Sequence, residues 1–237
     1  MKKGFSLIEV VFAIVIISIS MMSIPMLLSQ ADKSNTFSLI QETILAGKSK
    51  MGNILSYRWD DNSYDSIYKL LRVLTVANGH NDFKRVSTLP LKTRDNNLRI
   101  GHIYQDKRRR FHDELNITSP TGTYTHANKL SIDDFHAETI TKLVSSGTYD
   151  GKFDYKDSNI TMTSNIYYID DNTVSYKNNK NITFNLVPNT SFPITSAHTT
   201  NIKMIELSIT TGKMDQTFVL RSFSTNIGQS TLFSRSY

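Results

Sequence analysis

Gly4-Phe5-Ser6-Leu7-Ile8-Glu9-Val10 opens an apolar run that continues as far as Leu28. Counted from Phe5, the run has 24 residues. As a helix it would be roughly 36 Å long, which is enough to cross a hydrocarbon core of about 30 Å. Lys2 and Lys3 precede the run, and a long, mostly polar sequence follows it. The excess of lysine on the short flank predicts a single-pass helix whose N-terminus is cytoplasmic.

Glu9 is the one carboxylate in this run. A carboxylate within a membrane helix costs free energy unless it has a partner, so it usually marks a functional position. The sequence therefore predicts that Glu9 has a specific role, which an ordinary membrane anchor would not require.

The motif Gly4-Phe5-Ser6-Leu7-Ile8-Glu9 resembles the processing and assembly signature of type IV pilins and of type II secretion pseudopilins. The resemblance implies that a prepilin peptidase cuts between Gly4 and Phe5 and methylates the new N-terminus of Phe5. It also implies that Glu9, the fifth residue of the mature chain, acts in assembly. The amine of Phe5 in one subunit would suit Glu9 of a neighbour, because paired charges can remain in the membrane.

Two other interpretations of the N-terminus remain open. A secretory signal peptide also begins with lysines, and Ser29-Gln30-Ala31 has small residues where a signal peptidase cuts. The apolar run is longer than the roughly 7–15 residues typical of such peptides. A plain single-span anchor would explain the length of the run but neither Gly4 nor Glu9.

The sequence after the apolar run predicts helices in its first part and mainly β-strands in its later part. Residues 29–58 carry apolar side chains at three- and four-residue steps, which indicates an amphipathic continuation of the helix. Shorter helices are predicted at 66–77 and at 131–144, the latter starting from the capping candidate Ser131 with Asp134 three residues later. Candidate strands are 98–104, 160–169, 182–187, 202–210 and 216–223.

These elements predict an α+β fold. As the resemblance implies, a long N-terminal α-helix, membrane-spanning in its first half, would pack on a C-terminal antiparallel β-rich domain. The predicted organisation is a leader peptide at 1–4, a transmembrane and assembly helix at 5–28, its amphipathic continuation at 29–58, and a periplasmic globular domain at 59–237.

Charge is distributed unevenly in the outer domain. Residues 84–110 contain nine basic and two acidic side chains, whereas residues 111–171 contain ten acidic side chains and four lysines. The two segments could be solvated faces, or could match neighbouring subunits in a fibre. A third interpretation is DNA binding by the basic run, in which aromatic residues flank the cations Lys107, Arg108, Arg109 and Arg110.

Few other patterns indicate a chemical site. Asp150, Asp154 and Asp157 form an acidic loop that is a weak calcium candidate without the ligand order of an EF-hand. Cysteine is absent, which excludes disulfides, thiolate zinc sites and cysteine nucleophiles. No nucleophile motif or phosphate-binding glycine loop occurs, so we expect no cofactor and no enzymatic activity. Asn116 and Asn159 head glycosylation-type sequons, each with an acidic residue two positions earlier.

These observations predict a structural subunit, a minor pilin or pseudopilin. It would be embedded in the bacterial inner membrane before assembly, with its C-terminal domain in the periplasm, and could reach a cell-surface fibre afterwards. The implied partners are the prepilin peptidase, other pilin or pseudopilin subunits and the inner-membrane assembly platform. The alternatives are a DNA-uptake pseudopilin that binds through residues 84–110 and a membrane-anchored periplasmic binding module.

Overall fold

A computed structural model describes residues 6–67, 69–84, 111–116, 129–144, 158–169, 171, 199–212 and 214–229. By its internal contacts the chain forms two units, Met1–Ala46 and Gly47–Tyr237. The fold is α+β, as predicted: a long N-terminal helix, and an outer unit in which the end of that helix packs on a four-stranded antiparallel sheet.

The helix, α1, spans Leu7–Leu55 and is 49 residues long. It begins where the carbonyl of Ser6 accepts hydrogen bonds from the N–H groups of Glu9 and Val10, at 3.0 and 3.2 Å. Pro25 lies inside the helix and does not end it. Gly47 and Gly52 do not interrupt it either, although each lowers helix propensity by about 1 kcal/mol relative to alanine.

The first unit contains a helical segment that is long and apolar enough to cross a membrane. Its few hydroxyls are satisfied within the helix: Ser18 Oγ donates to the Ile14 carbonyl at 2.7 Å, and Ser20 Oγ to the Ile16 carbonyl at 2.8 Å. Such internal bonds spare these hydroxyls the cost of lying unpaired in an apolar medium.

The second unit is built around a sheet with four antiparallel strands in chain order. They are β5 (Glu138–Val144), β6 (Ser158–Ile169), β7 (Ile202–Thr211) and β8 (Met214–Thr225). The predicted strands 160–169, 202–210 and 216–223 are confirmed. The other two predicted strands, 98–104 and 182–187, lie outside the described residues.

One face of this sheet forms the core with the last turns of α1. The inward side chains alternate along β6 and β7, as the two-residue period of a strand requires. They are Ile160, Met162, Ile166, Ile205, Leu207 and Ile209, all fully or almost fully buried. Met51 and Ile54 of α1 are also buried. Gly47 lets the helix approach closely, because a Cβ there would lie 2.2 Å from Cδ1 of Ile209.

Among the described residues that precede the sheet there are four short strands: β1 (Tyr64–Asp65), β2 (Leu70–Leu71), β3 (Val73–Thr75) and β4 (Phe111–Asn116). β1 pairs antiparallel with β2, and β3 pairs parallel with β4. Short 3-10 turns occupy Asp61–Ser63, Asn81–Phe83 and Ile132–Phe135.

The predicted helix at 66–77 is wrong. The backbone of Leu74 is held by a distant side chain: Asn226 Oδ1 accepts from its N–H at 3.0 Å, and Asn226 Nδ2 donates to its carbonyl at 2.8 Å. A helix would use both backbone groups internally. Lys69 has a φ of 53°, a left-handed conformation that also interrupts a right-handed helix.

The predicted helix at 131–144 is wrong beyond its first turn. The Asp134 carboxylate accepts from the N–H groups of Leu130 and Ser131 at 2.7 and 3.1 Å, which is the capping role expected of Asp134. The turn then ends at Phe135 and Ala137 takes a φ of 57°. The residues after it pair with β6 as strand β5 instead.

Candidate functional site

The N-terminal candidate site is represented in the structure by Glu9, which lies in the first turn of α1 and is exposed. A negative side chain there interacts favourably with the positive end of the helix dipole. Gly4 and Phe5, the predicted processing residues, lie outside the described part of the chain.

The helix surface after Glu9 is apolar and exposed on every side. Phe12, Met22 and Leu28, which point in different directions around the axis, are 62%, 85% and 66% exposed. An all-apolar helix belongs in a membrane or among other helices, since its surface cannot be left in water without a large cost. The segment therefore has the properties of an anchor that could also serve as a helical packing surface.

The predicted sites of the outer domain are only partly described. Lys107, Arg108, Arg109 and Arg110, and the acidic loop residues Asp150, Asp154 and Asp157, lie outside the described ranges. Within those ranges, no group of three or more His, Cys, Asp or Glu residues is placed to hold a metal ion.

The two predicted sequon residues lie on strands. Asn116 is the last residue of β4. Asn159 is exposed near the start of β6, where its carbonyl accepts from the N–H of Gly212 at 3.0 Å. The structure does not bring these two positions into a common element.

A buried charged cluster beneath the sheet was not anticipated. Lys203 of β7 is fully buried, and its Nζ donates to Asp133 Oδ2 at 2.6 Å and to the Trp59 carbonyl at 2.9 Å. Asp60 Oδ2 lies 3.4 Å from the same nitrogen. The signal in the sequence was a single cation inside an apolar strand, Ile202-Lys203-Met204-Ile205, because a lysine facing a core needs a buried partner.

Burial dominates the electrostatics of this cluster. It raises the pKa of Asp133 to about 7, with Lys203 opposing the shift and the carboxylate of Asp60 adding to it. Burial likewise raises the pKa of Tyr168, and Asp133 and Asp60 act in the same direction. The site is therefore one in which a carboxyl group can hold a proton near neutral pH.

A second lysine–carboxylate contact lies at the edge of the core and behaves differently. Glu138 accepts from Lys50 Nζ at 2.6 Å and also pairs with Lys129. Burial would raise the pKa of Glu138, but the hydrogen bonds and charges of Lys129 and Lys50 outweigh it and lower that pKa. Glu138 therefore stays ionised.

A small cleft of about 150 Å³ is lined by Trp59, Arg72 and the backbone around Asn226 and Gly228. Arg72 Nε is bound to Asp65 Oδ2 at 3.1 Å, so its charge is already matched. Sites for small molecules usually enclose about 300–1,000 Å³. This cleft is too small to support a binding module for such ligands.

Comparison with known proteins bears on the N-terminus. The family described as the prokaryotic N-terminal methylation motif matches residues 1–24. No curated protein and no solved structure matches the chain. The chain thus has a prepilin-like N-terminus of the kind that a prepilin peptidase processes, consistent with the type IV pilin and pseudopilin family. Together with the apolar helix, this motif suggests anchoring in the membrane before assembly.

Proposed function

We propose that the chain is a structural, non-enzymatic subunit, a minor pilin or pseudopilin of a type IV pilus-like or type II secretion fibre. The prepilin peptidase removes residues 1–4 and methylates Phe5, and the helix then packs against the helices of other subunits. The observation that carries the proposal is the position of Glu9. It is an exposed carboxylate in the first turn of a continuous apolar helix, within the matched methylation motif.

The proposed role of Glu9 follows from charge pairing. Cleavage after Gly4 creates a cationic amine on Phe5. This amine would lie at nearly the same depth in the membrane as Glu9. In an apolar medium each charge is costly alone, and the two together are tolerated only in one relative position. Glu9 of one subunit and Phe5 of its neighbour would thereby fix the axial register of the two helices.

The large size of the outer unit supports a role as a minor subunit, present in few copies in the fibre. A large outer domain of 191 residues, Gly47–Tyr237, would crowd a shaft built from many copies. We therefore assign the subunit to a place of low copy number, with the inner-membrane assembly platform and other pilin or pseudopilin subunits as partners.

Glu9→Gln is the decisive variant, with Glu42→Gln as its matched control on the same helix. Both remove one exposed carboxylate from α1, but Glu42 lies beyond the apolar segment. The chain has no cysteine, so single cysteines introduced into the apolar segment can report contacts between subunits by crosslinking. We expect Glu9→Gln to insert into the membrane and to lose the crosslinks, and Glu42→Gln to retain them. Crosslinks that survive Glu9→Gln would contradict the assembly role.

The processing step has its own measurement, the mass of the N-terminal peptide of the protein from its native membrane. A chain that begins at Phe5 with one added methyl group supports the proposal. A start at Asp32 would instead indicate a cleaved signal peptide, and an intact Met1 a plain anchor.

DNA uptake is the second candidate, favoured by the nine basic residues of the segment 84–110. Binding through that segment should weaken steeply with added salt, because each phosphate contact releases counterions. Full-length protein in detergent, titrated with single-stranded DNA at two salt concentrations, tests this. Absence of binding at low salt would remove the candidate without affecting the fibre proposal.

A further inference from the structure

The buried cluster around Lys203 brings an amine and two carboxyl groups together. Nζ of Lys203 lies 2.6 Å from Asp133 Oδ2 and 3.4 Å from Asp60 Oδ2. The exposed fraction of the side chain is 0% for Lys203 and Asp60 and 3% for Asp133. The three groups come from β7, from the segment after α1 and from the 3-10 turn before β5, so the fold itself assembles them.

The surroundings of the cluster are aromatic and closed to solvent. Nζ of Lys203 lies 4.0 Å from the centre of the Trp59 ring and 5.3 Å from that of Tyr168. Within the described part of the chain, Asp133 Oδ1 and the Tyr168 hydroxyl have no hydrogen-bond partner. A buried ion pair with an unsatisfied oxygen is poorly compensated for its lost hydration. A reaction that converted the two charged groups into a neutral one would remove this desolvation cost.

We propose that Lys203 and Asp133 react with each other to form an intramolecular amide (isopeptide) bond, with Asp60 carrying the proton between them. The bond would join residues 70 positions apart in the chain.

The reaction needs no oxidant, metal or other partner. In the reactive form, Lys203 is a neutral amine and Asp133 a neutral carboxylic acid. The lone pair of Nζ attacks Cγ of Asp133 and forms the N–C bond. Asp60 accepts a proton from Nζ and delivers it to the departing oxygen, the Cγ–O bond breaks, and one water leaves. Asp60 ends in the protonation state in which it began.

Positioning and burial both favour this step. A hydrogen bond of 2.6 Å to Oδ2 brings Nζ towards the roughly 3–3.5 Å from Cγ at which reacting atoms are poised. Burial raises the pKa of Asp133 to about 7, which supplies the protonated acid that attack requires. In water the ionised pair is favoured over the amide, but burial weakens that preference because the two charges lose their hydration.

The contact between Lys50 and Glu138 is a matched comparison within the same unit. Its Nζ–Oε2 distance is also 2.6 Å, but the side chains are 13% and 23% exposed and Lys129 pairs with the same carboxylate. Glu138 is held ionised, and a carboxylate is a poor electrophile. We therefore expect no amide between Lys50 and Glu138.

The test is mass spectrometry of the full-length chain, denatured after purification from membranes. The expected intact mass is one water below the sequence mass, once the N-terminal peptide has been measured and its processing accounted for. Trypsin should release peptide 130–142 joined to peptide 181–213, since an amidated Lys203 is not cleaved. The peptide that contains Lys50 should not be joined to peptide 130–142, which contains Glu138.

Two variants assign the bond. Lys203→Met should abolish the water loss and the joined peptide, and Asp60→Asn should leave both reacting residues in place but greatly reduce the joined fraction. Both readouts are taken on denatured chains, but the bond can form only in folded ones, so the fluorescence of the buried Trp59 first checks that each variant folds. Wild-type protein with the full sequence mass and separate peptides would overturn the proposal. Joining that is undiminished in Asp60→Asn would overturn the role of Asp60.

Discussion

Gly47 and Ile209 approach each other so closely that any larger residue at position 47 would displace the Ile209 side chain. A Cβ on Gly47 would lie 2.2 Å from Cδ1 of Ile209 and 2.9 Å from Cδ1 of Leu220. Ile209 is fully buried, so its side chain would have to shift within the core to make room for a Cβ. The glycine therefore sets the distance between the end of α1 and the sheet.

The first prediction is that Gly47→Ala and Gly52→Ala change stability in opposite directions. Gly52 has nothing within 4 Å of a built Cβ, so alanine there should stabilise the helix by about 0.5–1 kcal/mol. At Gly47 the same gain is outweighed by overpacking, which costs about 1–3 kcal/mol. The measurement is urea unfolding of the full chain in detergent, followed by fluorescence of Trp59, the single tryptophan, which is buried. Equal effects at both positions would contradict the close approach.

The second prediction concerns Asn226, which holds the backbone of Leu74 through both its amide atoms. Asn226→Ala leaves a buried N–H and a buried carbonyl without that side chain, and each such loss costs about 1–3 kcal/mol. We expect a total loss of about 2–6 kcal/mol in the free energy of unfolding by the same fluorescence assay. Thr225→Ala, an exposed neighbour, is the control and should change stability little. A loss at Asn226 no greater than at Thr225 would show that the contact is dispensable.

The third prediction is a pH dependence that belongs to Glu138. Its pKa is lowered in the folded chain, so its contribution to stability is present above the ordinary carboxyl pKa of 4.5 and is lost as pH falls through the folded value. Glu138→Gln should therefore be less stable than wild type at pH 7, and the difference should shrink below pH 4.5. Glu206→Gln is the control, because its partner Arg221 is 48% exposed and screening should make that pair weaker. A difference that is constant with pH would exclude an ionic contribution from Glu138.

The fourth prediction concerns the sequon at Asn159. Its amide is exposed, but residue 159 pairs with Leu143 in the sheet and its carbonyl is bound by Gly212. In a host with an oligosaccharyl transferase, we expect glycan at Asn159 only on chains modified before the sheet forms. Purified folded protein should be a poor acceptor in vitro and urea-unfolded protein a better one, as judged by peptide mass. Equal modification of both forms would contradict this order, and Asn159→Gln identifies the site.

The sequence predicts the long helix and the late strands well because their signals are local. The apolar run that ends at Leu28 and the alternation in β6, β7 and β8 are each readable from neighbouring residues alone. The helix prediction for 66–77 is wrong because Ile67, Leu70, Leu71 and Leu74 have helical spacing, whereas the backbone of Leu74 is held by Asn226, 152 residues away. Such a contact leaves no local pattern.

The candidate sites show the same division between local and distant information. Glu9 stands out in the sequence because a charge in a membrane segment is unusual. Lys203 is also unusual among its neighbours, but its partners Asp60 and Asp133 lie 143 and 70 residues away, and only the fold reveals them. For Asp134, the sequence predicts the capping hydrogen bonds, because they are local. It does not predict the strand that follows, because that strand depends on pairing with β6.

The strands of the sheet follow one another in the order of the chain, and this order affects folding during translation. Two side chains lie against Gly47. They are Ile209 of β7 and Leu220 of β8. The helix emerges from the ribosome long before these strands, so its inner face stays uncovered until β7 and β8 have been made. Chains truncated before β7 would leave that apolar face open to chaperones and proteases. Pairing of β7 with β8 is therefore the step that covers the inner face of α1 around Gly47.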